Sequence, residues 1–119
     1  MTLRCVLVDD DTAYLHMARA VLERDGVTVA GVARSCAEAI ERTAELQPDV
    51  LLIDIRLGEE SGFEVARQLA GRGQGPTLIM ISTDAREDYA DLVAESPAAG
   101  FVAKAELSAA AIYRILSPQ

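Results

Sequence analysis

The sequence predicts an α/β domain: a five-stranded parallel sheet with helices on both of its faces. Three observations carry this. Short apolar runs each end in a polar or charged residue: Val6–Val8 in Asp9-Asp10-Asp11, Val50–Ile53 in Asp54, Leu78–Ile81 in Ser82, and Phe101–Ala103 in Lys104. Strand-like and helix-like segments alternate five times along the chain. The central runs carry no polar alternation, as strands covered on both faces require. Such alternation gives parallel strands joined by right-handed crossovers.

Each element has its local reason. The first strand covers Arg4 to Val8. Helix 1 runs from Thr12 to Arg24, with Leu15, Ala18, Val21 and Leu22 on one face, Asp11 as N-cap and Gly26 as its stop. Val27 to Ala33 alternates weakly and reads as an edge strand. Ser35-Cys36-Ala37-Glu38 is a capping-box pattern opening a second helix that ends before Pro48. Val50 to Ile53 is the third strand. Ser61-Gly62-Phe63-Glu64 is a second capping-box pattern, opening a helix to Ala70. Gly71 to Pro76 is a glycine-rich loop, and Thr77 to Ile81 the fourth strand. Asp84 caps a fourth helix to Glu95, Ser96-Pro97 interrupts, Gly100 to Lys104 is the fifth strand, and Leu107 to Leu116 the last helix.

A chain of 119 residues fits one domain, residues 1–119, large enough for a real core. Eleven basic residues are dispersed against 19 acidic ones, a net charge of −8, which argues against nucleic-acid binding by this segment. No uncharged apolar run is long enough to span a membrane. Met1-Thr2-Leu3-Arg4 leads straight into a strand, so no signal peptide is visible. Cys5 and Cys36 lack metal-ligand spacing and read as reduced thiols.

In open α/β sheets, ligands bind at the carboxyl ends of the strands. There the sequence gathers Asp9, Asp10, Asp54, Ser82 and Lys104. A carboxylate can attack a phosphoryl donor. The transferring group needs cations placed in advance. Asp9 and Asp10 suit Mg²⁺, which takes hard oxygen ligands. Lys104 adds a point positive charge and Ser82 a hydroxyl donor.

This set, in this order, resembles the receiver domain of two-component response regulators. The spacings are 44 positions from Asp10 to Asp54, 28 to Ser82 and 22 to Lys104, with Gly62, Gly100 and Phe101 completing the pattern. The resemblance covers essentially the whole chain. It implies a flavodoxin-like, doubly wound fold of strand order 2-1-3-4-5 with five helices. It implies Asp54 as phospho-acceptor, and Mg²⁺ held by Asp10, Asp54 and the main-chain carbonyl of Arg56, with Asp9 contributing directly or through water. Ser82 would bind the phosphoryl group and shift toward it, Lys104 would pair with it, and Phe101 would follow Ser82. Arg56 and Asp84 stand where the family tunes phosphate lifetime. The implied phosphodonor is a sensor histidine kinase or phosphotransfer protein in the cytoplasm. Homodimerisation on phosphorylation is a family option.

Several positions depart from the family pattern. Gly58 replaces a frequent proline, which should loosen that loop. Ala105 replaces the proline that often follows the lysine, so a cis bond is not expected there. Thr83 stands where a smaller residue is frequent and would narrow access to the site. Phe101 lacks a tyrosine hydroxyl, so its switch must work by packing.

Plainer readings stand beside these. Three acids at a helix start favour the helix dipole, and Asp11 does only that. An EF-hand is excluded by Ala13 and Tyr14. His16 reads as exposed rather than catalytic. Tyr14, Leu15, Met17 and Ala18, if partly exposed, would form a docking face for a kinase helix; core packing explains Leu15 and Ala18 as well. A phosphatase of the haloacid dehalogenase type fails at Thr12-Ala13, where glycine and threonine are expected. A flavodoxin-like nucleotide binder lacks the Gly/Ser/Thr phosphate cradle after the first strand. An unphosphorylated interaction module remains an alternative, as does a stand-alone receiver. No DNA-binding segment follows Leu116. The stretch Lys104 to Ser108 resembles receivers of the NarL/LuxR type, so DNA would be reached only through an output domain outside this sequence.

Overall fold

The computed structural model describes residues 2–71, 75–83 and 89–117. Five parallel strands form one sheet: β1 (Arg4–Val8), β2 (Thr28–Ala33), β3 (Val50–Asp54), β4 (Thr77–Ser82) and β5 (Gly100–Ala103), in the order β2-β1-β3-β4-β5. This is the doubly wound order expected, with β2 on an edge. The helices are α1 (Thr12–Arg24), α2 (Cys36–Leu46), α3 (Gly62–Ala70), α4 (Ala90–Glu95) and α5 (Ala109–Leu116).

Strand alternation divides the core in two. Cys5, Leu7, Val50, Leu52, Ile79 and Ile81 face one way and meet Leu15, Ala18 and Leu22 of α1 and Ala109 and Ile112 of α5. Val6, Val8, Leu51, Ile53, Leu78 and Met80 face the other way and meet Ala39 of α2 and Phe63, Val65, Ala66 and Leu69 of α3. Two covered faces explain why the central strands are apolar at successive positions. Cys5 and Cys36 lie in different halves of the core as free thiols. Burial pushes the Cys5 thiol up to about 12, which keeps it protonated and unreactive.

The caps follow the sequence in part. The N–H of Tyr14 donates to Asp11 Oδ1 at 3.2 Å, and that of Glu38 to Ser35 Oγ at 3.2 Å. The return bond of the first box comes from Glu38 one residue early, accepting from the N–H of Arg34 at 2.9 Å. The second box does not form. Ser61 Oγ accepts from Phe63, and Glu64 turns instead to Arg67 and Gln68, one turn along the exposed side of α3.

Three further differences were not expected. Arg56–Leu57 and Glu60–Ser61 pair as a small antiparallel ribbon. β5 stops at Ala103, so Lys104 opens a 3₁₀ turn, Lys104–Glu106, before α5 begins at Ala109. The docking face proposed on α1 is largely core: Tyr14, Leu15 and Ala18 are buried, and only Met17, 54% exposed, faces out. Their i, i+1, i+4 spacing puts Tyr14, Leu15 and Ala18 on the sheet side, and Met17 falls off that stripe. His16 is exposed, as expected. All peptide bonds among the described residues are trans, including the one before Ala105. Asp84, the expected cap of the fourth helix, lies outside the described residues; α4 as described begins at Ala90.

Candidate functional site

The carboxyl ends of β1, β3, β4 and β5 bring the expected side chains together. Asp9 directly follows β1, and its N–H still donates to Ala33 O of β2 at 3.0 Å. Asp54 closes β3 and Ser82 closes β4, where it lies beside Ala103 of β5. Lys104 comes next. Asp9, Asp54, Ser82 and Lys104 are the buried polar and charged residues of the described chain.

Lys104 Nζ lies 2.6 Å from Asp9 Oδ2 and 3.1 Å from Asp54 Oδ2. Asp9 Oδ1 accepts from the N–H of Asp11 at 2.9 Å, and Asp54 Oδ1 from the N–H of Arg56 at 3.2 Å. Asp9 Oδ2 is fully buried and accepts no well-aligned hydrogen bond; its contact with Lys104 is ionic. Asp10 is exposed at the rim. Carboxylate oxygens of Asp9, Asp10 and Asp54 all lie within 4.8 Å of one another.

Burial, then the charge of Asp9, raises the Asp54 carboxyl from 3.8 to about 6, against the opposing pull of Lys104. Burial disfavours the charged ammonium of Lys104, but the facing carboxylates of Asp9 and Asp54 outweigh it, and its pKa is raised. Three carboxylates therefore face one ammonium. That uncompensated negative charge, presented by three carboxylates at one strand edge, fits a divalent cation. Asp9, Asp10 and Asp54 would supply hard oxygen ligands of the kind Mg²⁺ takes.

The ribbon Arg56–Leu57/Glu60–Ser61 frames this cluster. Its turn residues are Gly58 and Glu59, and Gly58 has φ +63°. Glycine with positive φ at the first turn position is the type II′ pattern. Far from loosening a loop, Gly58 enables a tight turn that proline cannot make, since its ring locks φ near −65°. Gly58→Ala is expected to cost about 1 kcal/mol and Gly58→Pro distinctly more, read as the shift in urea midpoint. Glu60 anchors the ribbon by accepting from the N–H of Cys36, the first residue of α2, at 2.9 Å. Arg56 is exposed beside the end of β3. Thr83, also exposed, directly follows buried Ser82.

Phe101 is half-buried and packs against the second core cluster with Tyr89 and Val93. One residue that the sequence places on a candidate docking face contacts the cluster instead. Tyr14 is buried against Lys104, with its ring centroid 4.5 Å from Nζ and its hydroxyl donating to Lys104 O at 3.1 Å. Ninety positions separate the pair, and only the spacing of helix 1 hinted that Tyr14 faces the sheet.

Comparison with known proteins agrees with this architecture. Residues 5–115 match the family model described as response regulator receiver domain, and the chain belongs to that family. The receiver is a signalling domain, and members of the family generally interact with histidine kinases or phosphotransfer proteins. The chain is 39% identical over 84 residues, 69% of its length, to protein-glutamate methylesterase/protein-glutamine glutaminase 5 of Myxococcus xanthus, covering 24% of that protein. It is 36% identical over 94 residues, 79% of its length, to response regulator MprA of Mycobacterium ulcerans, covering 39% of it. Thus it spans well under half of these two relatives. The solved signal receiver domain of NarL from Mycobacterium tuberculosis superposes with a TM-score of 0.86 at 24% identity, each chain 98% covered, which shows the shared fold. No helix among the described residues is long and apolar enough to cross a membrane.

Proposed function

We propose that Asp54 is the phospho-acceptor of this receiver, and that its phosphorylation changes what the domain binds. The observation that carries the reading is the buried Asp9–Lys104–Asp54 cluster with Asp10 at its rim, at the carboxyl edge of the sheet. A carboxylate oxygen of Asp54 attacks the phosphorus of a phosphohistidine or a small acyl phosphate. The new O–P bond forms as the bond to the leaving group breaks, and the leaving group departs with the electron pair. Asp10, Asp54 and the carbonyl of Arg56 would hold Mg²⁺, with Asp9 contributing directly or through water. When bound, the cation offsets charge on the phosphoryl oxygens and supplies what the acids lack. Lys104 moves its ion pairing from Asp54 to the phosphoryl group, and Ser82 donates its hydroxyl to it.

Phe101, three residues before Lys104 on β5, follows Ser82 by repacking against the second core cluster. This is a two-state equilibrium biased by local charge. Arg56 and Asp84 set the phosphate lifetime; Arg56→Ala and Asp84→Ala are each expected to change the dephosphorylation rate, and unchanged rates would remove that role. A histidine kinase or phosphotransfer protein in the cytoplasm is the donor. The output is transcription regulation through another segment, in line with the similarity to response regulators. The match to methylesterases supports an enzymatic output as the second reading.

Intact mass after incubation with acetyl phosphate tests the chemistry. One added phosphoryl group is expected, dependent on both Mg²⁺ and Asp54. Uptake by Asp54→Asn, or uptake unaffected by a chelator, would overturn the assignment.

A further inference from the structure

We propose that Tyr14 is a positioning residue for Lys104, its ring and hydroxyl together holding the ammonium in place between Asp9 and Asp54. The inference rests on the phosphoryl chemistry above only for its kinetic consequence. A lysine ammonium sits on a flexible four-carbon stem with considerable rotamer freedom. Here Lys104 is 8% exposed, and Nζ meets three groups: Asp9 at 2.6 Å, Asp54 at 3.1 Å and the Tyr14 ring at 4.5 Å from its centroid. Both carboxylates are claimed by whatever cation or phosphoryl group arrives. The aromatic face is the contact that such a ligand does not compete for.

The tyrosine acts on both ends of the lysine. Its ring offers the negative face of its quadrupole to the ammonium. Its hydroxyl donates to the main-chain oxygen of Lys104 at 3.1 Å, shorter than the 3.4 Å turn bond from the N–H of Leu107 to that oxygen. Ala105 follows, so no ring-locked residue stiffens the chain there. Burial, then the charges of Asp9 and Asp54, push the phenol pKa up, so the hydroxyl keeps its proton and donates.

Tyr14 is itself set by the site. Asp9 Oδ1 accepts from the N–H of Asp11, and Asp11 Oδ1 accepts from the N–H of Tyr14. Tyr14 binds Lys104 O, and Lys104 Nζ returns to Asp9 Oδ2. The contacts close into a circuit joining the end of β1, the first turn of α1 and the turn after β5. A leucine would fill the same space but offers neither a donor nor a quadrupole.

The test pairs NMR of the Lys104 ε-methylene with phosphoryl-uptake kinetics from acetyl phosphate and Mg²⁺. In the wild type the ε protons are expected upfield from the ring current. Tyr14→Phe keeps that shift and slows uptake by about twofold; Tyr14→Leu loses it and slows uptake by about five- to tenfold. In a Lys104→Met background, Tyr14→Leu is expected to add no further slowing. The proposal is overturned if Tyr14→Leu keeps the shift, if its uptake stays within twofold of wild type, or if the slowing persists without Lys104. Should wild type take no phosphoryl group on Asp54, the proposed function falls, and the ring-current arm alone supports or overturns the placement.

Discussion

Replacing Gly62 by alanine is expected to destabilise the domain by about 3 kcal/mol or more. A Cβ built there stands 2.0 Å from the carbonyl oxygen of Asp54 and 2.9 Å from its carbon. The obstacle is backbone, which cannot rotate away as a side chain can. The N–H of Gly62 donates to Ile55 O at 2.8 Å, so α3 starts hard against the end of β3. The better helix propensity of alanine recovers about 1 kcal/mol and does not offset the clash. Gly31 is the control. Its added Cβ stands 2.7 Å from Leu46 Cδ1, the end of a half-buried side chain that can swing aside, so Gly31→Ala is expected to cost far less. Urea unfolding followed by circular dichroism measures both. A Gly62→Ala midpoint equal to that of the wild type would refute the argument. In any folded fraction, the position of Asp54 is expected to shift.

The metal-free Asp54→Asn variant is expected to be more stable than wild type at pH 7.5, by about 1–3 kcal/mol. The carboxyl titrates near 3.8 unfolded and near 6 folded, because burial and Asp9 disfavour its charge. Between those values the folded state binds more protons. The stability this provides is present below about pH 4 and is lost as the pH rises through about 6. Asparagine does not carry that loss. Some of the gain is offset because Lys104 loses one carboxylate partner, which leaves a buried charge less well matched. Thermal melts in a chelator at pH 7.5 and pH 4.5 test the sign: the difference between variant and wild type should shrink at the lower pH. A difference independent of pH would show that Asp54 is not the group responsible. Added Mg²⁺ should stabilise the wild type more than the variant, narrowing the gap at pH 7.5.

Much of the fold was legible because it is written in local chemistry. Val50–Ile53 has no polar face, so it had to be a strand covered on both sides, and it is. Asp11 and Ser35 cap the helices they precede. The small ribbon at Arg56–Ser61 was not legible, since two residue pairs leave no periodic pattern, and its turn glycine is informative only once its positive φ is seen. Likewise, Ser61 and Glu64 have the spacing of a capping box, but Glu64 finds Arg67 and Gln68 closer at hand.

The candidate site divides the same way. The residue types that close each strand can be read directly along the chain, and a parallel sheet requires those ends to lie on one edge. Hence Asp9, Asp10, Asp54, Ser82 and Lys104 were nameable in advance. How neighbouring acids divide the work emerges only on folding: Asp9 is buried and paired with Lys104, whereas Asp10 sits exposed at the rim. Folding likewise turns Tyr14 from a candidate docking face to a contact with a lysine ninety positions away. The physical reason is range. Periodicity and caps act over a few residues, whereas burial, ion pairing and aromatic contacts depend on which strands and helices become neighbours after the chain has folded.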